Sequence, residues 1–370
     1  MRPFAVDIVQ CRGTRHAIGR AQADAFAVTP KGRAFVRRKT FRLPWWFNVR
    51  TQERAYSIYA PGLWEEIGGI AQGLGIPMEQ AVYHFGNGGL RPPLGGCSAI
   101  MSARVYGRNY DFRPSGYEAR FAFVQPSGSY ASAGATHLLT GRLDGMNEHG
   151  LAIGLHLVKP RPAYPGLSCI VIVRLVLDQC ATTAEAVALL RRLPHAMQYN
   201  YSLLDAAGVA AVVEAVPGSV AVRTGDWLAC TNHFQSPLLR PLNRRAAHSQ
   251  RQLPPLEHWA AQRLSAEQTF MVLNRSNSPA FHHGYRGGAG TMHTMVAEPA
   301  KKRLLIGIGG DAAALDEDML DVDFGRWASG EDLPVRRLEG QLGGTLKPFE
   351  WPRPRKQTGR KTISRAAAAE

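Results

Sequence analysis

The chain has 370 residues, 45% of them hydrophobic and 20% charged, with a formal net charge of +15. This composition suits a globular protein with a large buried core and excludes a disordered or fibrous chain. The charge is local: residues 31–54 carry +7 and residues 347–370 carry +5, while the remainder is nearly balanced, so a solvated basic face is favoured over a polyanion-binding module.

The first residues, MRPFAVDIVQCRGTRHAIG, lack the long apolar run and small-residue cleavage site of a signal peptide, so a cytoplasmic protein is expected. Residues 1 to about 90 are expected to be helical. In PGLWEEIGGIAQGLGIP, Leu63, Ile67, Ile70 and Leu74 recur at three-and-four spacing, and Gly75–Pro77 marks a turn into a second helix. At Cys97 the period changes to that of strands, in CSAIMSA, VYGRNYDF and ARFAFVQP. GMNEHGLAIGLHLV predicts two strands around an Asn-Glu-His-Gly turn.

LSCIVIVRLVLDQC is too short to span a membrane and carries Arg174 at its centre, so it is expected to be a buried helix. Thr182 with Glu185, and Ser265 with Gln268, have capping-box spacing at the starts of two further helices. Strand pairs are expected in YSLLDAAGVAAVVEA with SVAVRTGDWLACTNHF, and in TMHTMVAEP with KRLLIGIGG. Without strict β–α alternation, the order favours an α+β fold of antiparallel sheets covered by helices. The Pro-rich, basic segment 346–370 reads as a disordered tail.

Five cysteines at scattered spacing (Cys11, Cys97, Cys169, Cys180 and Cys230) give neither a disulfide framework nor a zinc pattern. Cys97 differs from the others in its setting. Gly95 and Gly96 precede it, leaving the backbone open to close approach, and Arg108-Asn109-Tyr110-Asp111 lies one strand away. Asn147 in MNEHG and Asn232 in CTNHF stand at strand ends, where their amides can point into a site; Asn147 equally suits a hairpin turn. Asp111 pairing with Arg108 across a turn is the plain alternative to a working carboxylate. His293 reads as a hydrogen-bonded core histidine, His282–His283 as loop with no third metal ligand, and Gly307–Gly310 as a strand-end turn.

Gly96-Cys97-Ser98-Ala99-Ile100 followed by Gly107-Arg108-Asn109-Tyr110-Asp111-Phe112 resembles the start of the catalytic chain in N-terminal-nucleophile cysteine hydrolases. Together with WEEIGGIAQGLGIP, DGMNEHGLAIGLH, LACTNHF and GTMHTMV, it is similar to the autoproteolytic penicillin acyltransferase family, and more distantly to choloylglycine hydrolases and acid-ceramidase-like amidases. The resemblance implies a four-layer αββα sandwich. It further implies a leader of residues 1–96 released by cleavage between Gly96 and Cys97 and kept as a heterodimer partner, and a catalytic domain of residues 97–345. Cys97 would be the nucleophile with its own α-amine as base. Arg108 would hold the thiolate, Asp111 would orient the amine, and Asn232, with Asn147, would donate to the oxyanion. Arg251 is the candidate for the arginine that follows the Asn-His-Phe motif, with Arg244 and Arg245 as competitors. The implied activity is acyl transfer or hydrolysis on linear amides or acyl thioesters, with no cofactor and with acyl-coenzyme A as a conceivable donor. N-acyl amide hydrolysis without transfer is the alternative, and a non-catalytic polyanion binder the third.

Overall fold

The computed structural model describes residues 2–37, 41–45, 47–86, 95–102, 104–158, 165–285, 288–309 and 319–342. In chain order, strand β1 (Arg2–Gly13) precedes helices α1 (Arg15–Ala27), α2 (Pro30–Val36), α3 (Val49–Tyr59), α4 (Pro61–Leu74) and α5 (Met78–Phe85). Next come strands β2 (Gly95–Ser102), β3 (Tyr106–Phe112), β4 (Arg120–Pro126), β5 (Ser132–His137), β6 (Gly141–Arg142), β7 (Asp144–Asn147) and β8 (Ala152–Leu157). Helices α6 (Cys169–Gln179) and α7 (Thr183–Arg192) lead into β9 (Tyr199–Leu204), β10 (Ala210–Val216), β11 (Ser219–Gly225) and β12 (Trp227–Cys230). The chain continues with α8 (Ala247–Ala261), α9 (Ala266–Asn274), β13 (Gly290–Glu298), β14 (Arg303–Ile308), β15 (Met319–Asp323), α10 (Phe324–Ala328) and β16 (Arg337–Leu342).

Among the described residues the strands form two sheets. The larger runs β11-β10-β9-β8-β7-β5-β4-β1-β16, with β6 on β5; the smaller runs β12-β2-β3-β13-β14-β15. Every pairing is antiparallel except β1 with β4. Helices α6 and α7 pack on the larger sheet and α8 and α9 on the smaller, while β2 meets β8 and β9 between the sheets. This is the expected αββα sandwich of an α+β fold. Its core is the inter-sheet layer, where β3, β5, β7, β8, β9 and β10 are buried at every position.

Most local expectations are met for local reasons. Leu63, Ile67, Ile70 and Leu74 are the buried face of α4, which ends at Gly75 in the left-handed region, φ 61°. The Arg174 segment is the buried helix α6. Ser265 and Gln268 close a full capping box on α9. At α7 only half of the expected box forms: Thr182 accepts from Glu185 N, but Glu185 reaches the amide of Ala181 instead. Gly307–Gly310 begins as the expected strand end, with Gly309 at φ 70°; the tail 346–370 lies outside the described residues.

The helical expectation for residues 1–90 fails at its start. Residues 2–13 are a strand inside the larger sheet, parallel to β4 and antiparallel to β16. Val6 and Ile8 do alternate into the core, but both partners are far away in sequence, so nothing local announces the pairing.

A sealed ion network ties the N-terminal helices to the rest. Arg174 of α6 meets Glu66 of α4 at 2.9 Å and Asp178 at 2.9 Å; Arg15 of α1 meets Asp178 at 2.8 Å; Gln22 donates to Glu66 at 2.7 Å. Breaking such a buried set leaves an uncompensated charge, which costs about 3–5 kcal/mol. Glu66→Gln is therefore expected to lower the unfolding free energy by about that amount in a urea titration; an unchanged midpoint would show that the network holds nothing.

Candidate active site

Strand alternation divides the site between two faces of the smaller sheet. Cys97, Tyr110 and His293 form one row across β2, β3 and β13, and Ala99, Arg108 and Met295 form the next. These side chains face the larger sheet. Gly96, Asp111 and Thr291 form a row on the opposite face, toward α8 and α9. Thr291 and His293 share a face in a regular strand. A β-bulge between them breaks the alternation, so Thr291 joins the Asp111 row while His293 joins the Cys97 row.

On the inner face Arg108 is fully buried. Its Nη2 lies 3.2 Å from Cys97 Sγ and also donates to the Leu155 carbonyl, while Nη1 donates to Asp144 Oδ2. Its guanidinium sits over the Tyr110 ring, 5.1 Å from the centroid. Asp144 is held in turn by Ala135 N at 3.3 Å and His293 Nε2 at 2.8 Å, and His293 Nδ1 by Tyr117 Oη at 2.8 Å. Room for Arg108 comes from Gly154 of β8. A Cβ there would stand 2.5 Å from Arg108 Cδ and 2.3 Å from Tyr106 Oη.

Burial pushes the Cys97 thiol up to about 11 in the uncut chain, with Arg108 pulling against it and Asp111 and Asp144 adding to it. Burial also raises Asp144, but His293 and Arg108 outweigh it and hold the carboxyl down to about 2. Asp144 is thus the fixed anion that keeps a sealed arginine in place. Burial and Arg108 both push His156, which is hydrogen-bonded to Ser202 Oγ at 2.8 Å, well below the usual imidazole range, so it is neutral.

On the outer face lies a cleft of about 390 Å³ lined by Gly95, Gly96, Asp111, Asn232, His248 and His282, among others. Here the two glycines serve close approach. A Cβ on Gly95 would stand 2.5 Å from the Asp111 carbonyl, and one on Gly96 3.3 Å from Asp111 Oδ2 and 3.4 Å from Asn232 Oδ1. Asn232 Oδ1 accepts the Cys97 amide at 2.8 Å, Asn232 Nδ2 donates to the Leu157 carbonyl at 2.8 Å, and Asn232 N donates to Ser249 Oγ at 2.7 Å. Asp111 Oδ1 accepts from Thr291 Oγ1 at 2.6 Å. Burial raises the Asp111 carboxyl despite the opposing influence of His282 and Thr291.

The family model for acyl-coenzyme A:6-aminopenicillanic acid acyl-transferase matches residues 100–313, more than half of the chain. The chain belongs to this acyltransferase family. As a member it is an enzyme of acyl-group chemistry. The matched span includes Arg108, Asp111 and Asn232 and begins just past Cys97. Among solved structures, the chain is similar to penicillin V acylase from Agrobacterium tumefaciens at 18% identity, covering 63% of this chain and 80% of that one, with a TM-score of 0.35. It is similar also to a variant of conjugated bile acid hydrolase from Clostridium perfringens at 13% identity, covering 68% and 98%, with a TM-score of 0.43. No curated protein matches it.

The structure thus brings Gly96, Cys97, Arg108, Asp111 and Asn232 together and leaves two other candidates elsewhere. Asn147 is fully buried at the end of β7; its Nδ2 donates to the Leu177 and Cys180 carbonyls and its Oδ1 accepts from His149 N and Leu151 N. Its oxygen closes the turn and its nitrogen caps the end of α6. Arg251 is exposed on α8, and Arg245 is the arginine that lines the cleft. Asp144 and His282 were missed by sequence reasoning. Asp144 stands in the quoted DGMNEHG, but only the fold shows that its strand lies across from Arg108. His282 looked like loop because its cleft neighbours come from β3 and α8. Among the described residues no His, Cys, Asp and Glu cluster fits a metal, and no helix is long and apolar enough to cross a membrane.

With its pKa near 11, the Cys97 thiol of an uncut chain gains thiolate only as pH rises through that value. Gly154→Ala is expected to displace Arg108, the cation that reaches the sulfur. In an uncut precursor, alkylation of Cys97 is expected to need still higher pH in Gly154→Ala than in the parent, read by mass spectrometry; identical pH profiles would show that Arg108 does not act on the sulfur.

Proposed function

We propose that the chain cuts itself between Gly96 and Cys97, and that Cys97 then carries acyl groups from linear amides or acyl thioesters to water or an amine. The observation that carries this reading is the contact set around one residue. Cys97 Sγ lies 3.2 Å from a sealed guanidinium, and its main-chain nitrogen lies 2.8 Å from Asn232 Oδ1 at the edge of a cleft.

Self-cleavage starts with attack of Cys97 sulfur on the Gly96 carbonyl carbon. The carbon–nitrogen bond breaks as the thiol proton moves to the Cys97 nitrogen, leaving a thioester. Water adds to that carbon, the carbon–sulfur bond breaks, and Gly96 departs as a carboxylate. The freed α-amine has a reference pKa of about 7.7–8.0, so near neutral pH it can take the thiol proton in later turnovers. Arg108 then faces a thiolate, and Asn232 keeps the amine in place. Asn232 Nδ2, beside Leu157 at the cleft, is the donor proposed for the oxyanion, a contribution of about 10²–10³ in rate. Asp111 is the carboxylate proposed to face the amine.

Residues 1–96 remain attached after the cut as a second subunit, and 97–345 form the catalytic one. Support comes from β1 inside the larger sheet and from the Arg15, Glu66, Arg174 and Asp178 network. Acyl-coenzyme A is a donor this chemistry accepts, because its thioester enters by the same attack as an amide. The five cysteines, all unpaired and buried, support a reducing, cytoplasmic setting.

Intact mass spectrometry tests the cut. Wild type is expected as two co-purifying pieces, residues 1–96 and 97–370, and Cys97→Ala as one chain without activity on either an N-acyl amide or acyl-coenzyme A plus amine. Activity surviving in Cys97→Ala would end the proposal.

A further inference from the structure

Beside Asp111 the cleft holds a line of polar groups, His282, Gln252 and His248, to which the steps above give no part. Asp111 Oδ2 has no hydrogen-bond partner, although the residue is 1% exposed. Facing it at 3.4 Å is His282 Nε2, which also meets Gln252 Nε2 at 2.6 Å and His248 Nε2 at 3.5 Å. A single ring nitrogen cannot serve these neighbours in one protonation state. Bare, it accepts from the Gln252 amide; protonated, it donates toward Asp111. Thr291 fixes both partners, accepting the His282 amide at 2.9 Å while donating to Asp111 Oδ1 at 2.6 Å. His248 is exposed on the cleft wall. A path of two imidazoles therefore joins a sealed carboxyl to water, and it ends beside the Gly96 α-carbon.

We propose that His282 is the proton-exchange residue of this site, carrying to the cleft the proton that Asp111 takes from water when the thioester is resolved. The inference rests on the self-cleavage reading. As the water oxygen bonds to the Gly96 carbonyl carbon, one water proton goes to Asp111 and the carbon–sulfur bond breaks. The second proton stays on the new carboxyl, which ionises and returns it to sulfur. Asp111 passes its proton to His282 Nε2, and the imidazole exchanges it with water through His248. A carboxyl raised by burial is the stronger base for the first step, and the imidazole prevents it from remaining neutral afterwards. The charged and titratable groups around the pair are His248, Arg245 and Arg251 from α8 and its approach, Tyr285 from the same loop, and Arg108 with Cys97 through the sheet.

Cell-free translation followed by a time course of chain cleavage tests this for wild type, Cys97→Ala, His282→Ala and His282→Gln. His282→Ala is expected to slow the cut about tenfold or more, the scale of a lost proton-transfer group. Added imidazole should restore much of the rate in His282→Ala, do little for His282→Gln, and leave wild type unchanged. A merely structural histidine would not respond to imidazole. Cleavage of His282→Ala at the wild-type rate, or slow cleavage insensitive to imidazole, overturns the inference alone. A wild-type chain as intact as Cys97→Ala overturns the self-cleavage reading and this inference with it.

Discussion

The Arg108 guanidinium lies between two packed sheets, with Cys97 sulfur on one side and Asp144 and the Leu155 carbonyl on the other. A buried cation there is tolerable only if its charge is balanced and its terminal nitrogens find partners, which leaves Nε without one. Much of the surrounding structure follows from that constraint. Asp144 is the counter-charge, His293 and Ala135 hold Asp144, and Tyr117 holds His293. Gly154 leaves the space through which the side chain passes. Strands β3, β5, β7, β8 and β13 thereby each contribute to holding one guanidinium beside one sulfur.

The smaller sheet uses its two faces for different tasks. The inner face carries Cys97 and Arg108 in a buried layer; the outer face carries Gly96, Asp111 and Thr291 along an open cleft. The peptide bond between Gly96 and Cys97 passes from one face to the other. The bulge in β13 makes this division possible, because it sends Thr291 to Asp111 and His293 to Asp144 from the same strand.

What was legible in the sequence follows from which contacts are local. Helix α4, the turn before β8, the cap of α9 and the strand after Cys97 each depend on neighbours within a few residues, and periodicity shows them. Strand β1 depends on β4 and β16, so its alternation was overlooked beneath the helices that follow. The same limit applies within the site. Gly96, Cys97, Arg108 and Asp111 share one hairpin and were readable together, and Asn232 came from its motif. Arg245 was among the arginines that the Asn-His-Phe motif offered, and only the fold separates it from Arg251; Asp144 and His282 reach the site through packing of distant elements, and no local pattern separates them from ordinary turn or loop residues. For Asn147 the sequence left both readings open, because a strand-end amide looks the same whether it faces a cleft or closes a turn.

Acid-quenched enzyme caught during turnover of an acyl donor, digested and mapped by mass spectrometry, tests the account where it is most exposed. The acyl mass is predicted on Cys97 within a peptide that begins at Cys97. An acyl mass on Cys97 in a peptide still running through Gly95 and Gly96, in enzyme that turns over at full rate, would contradict it.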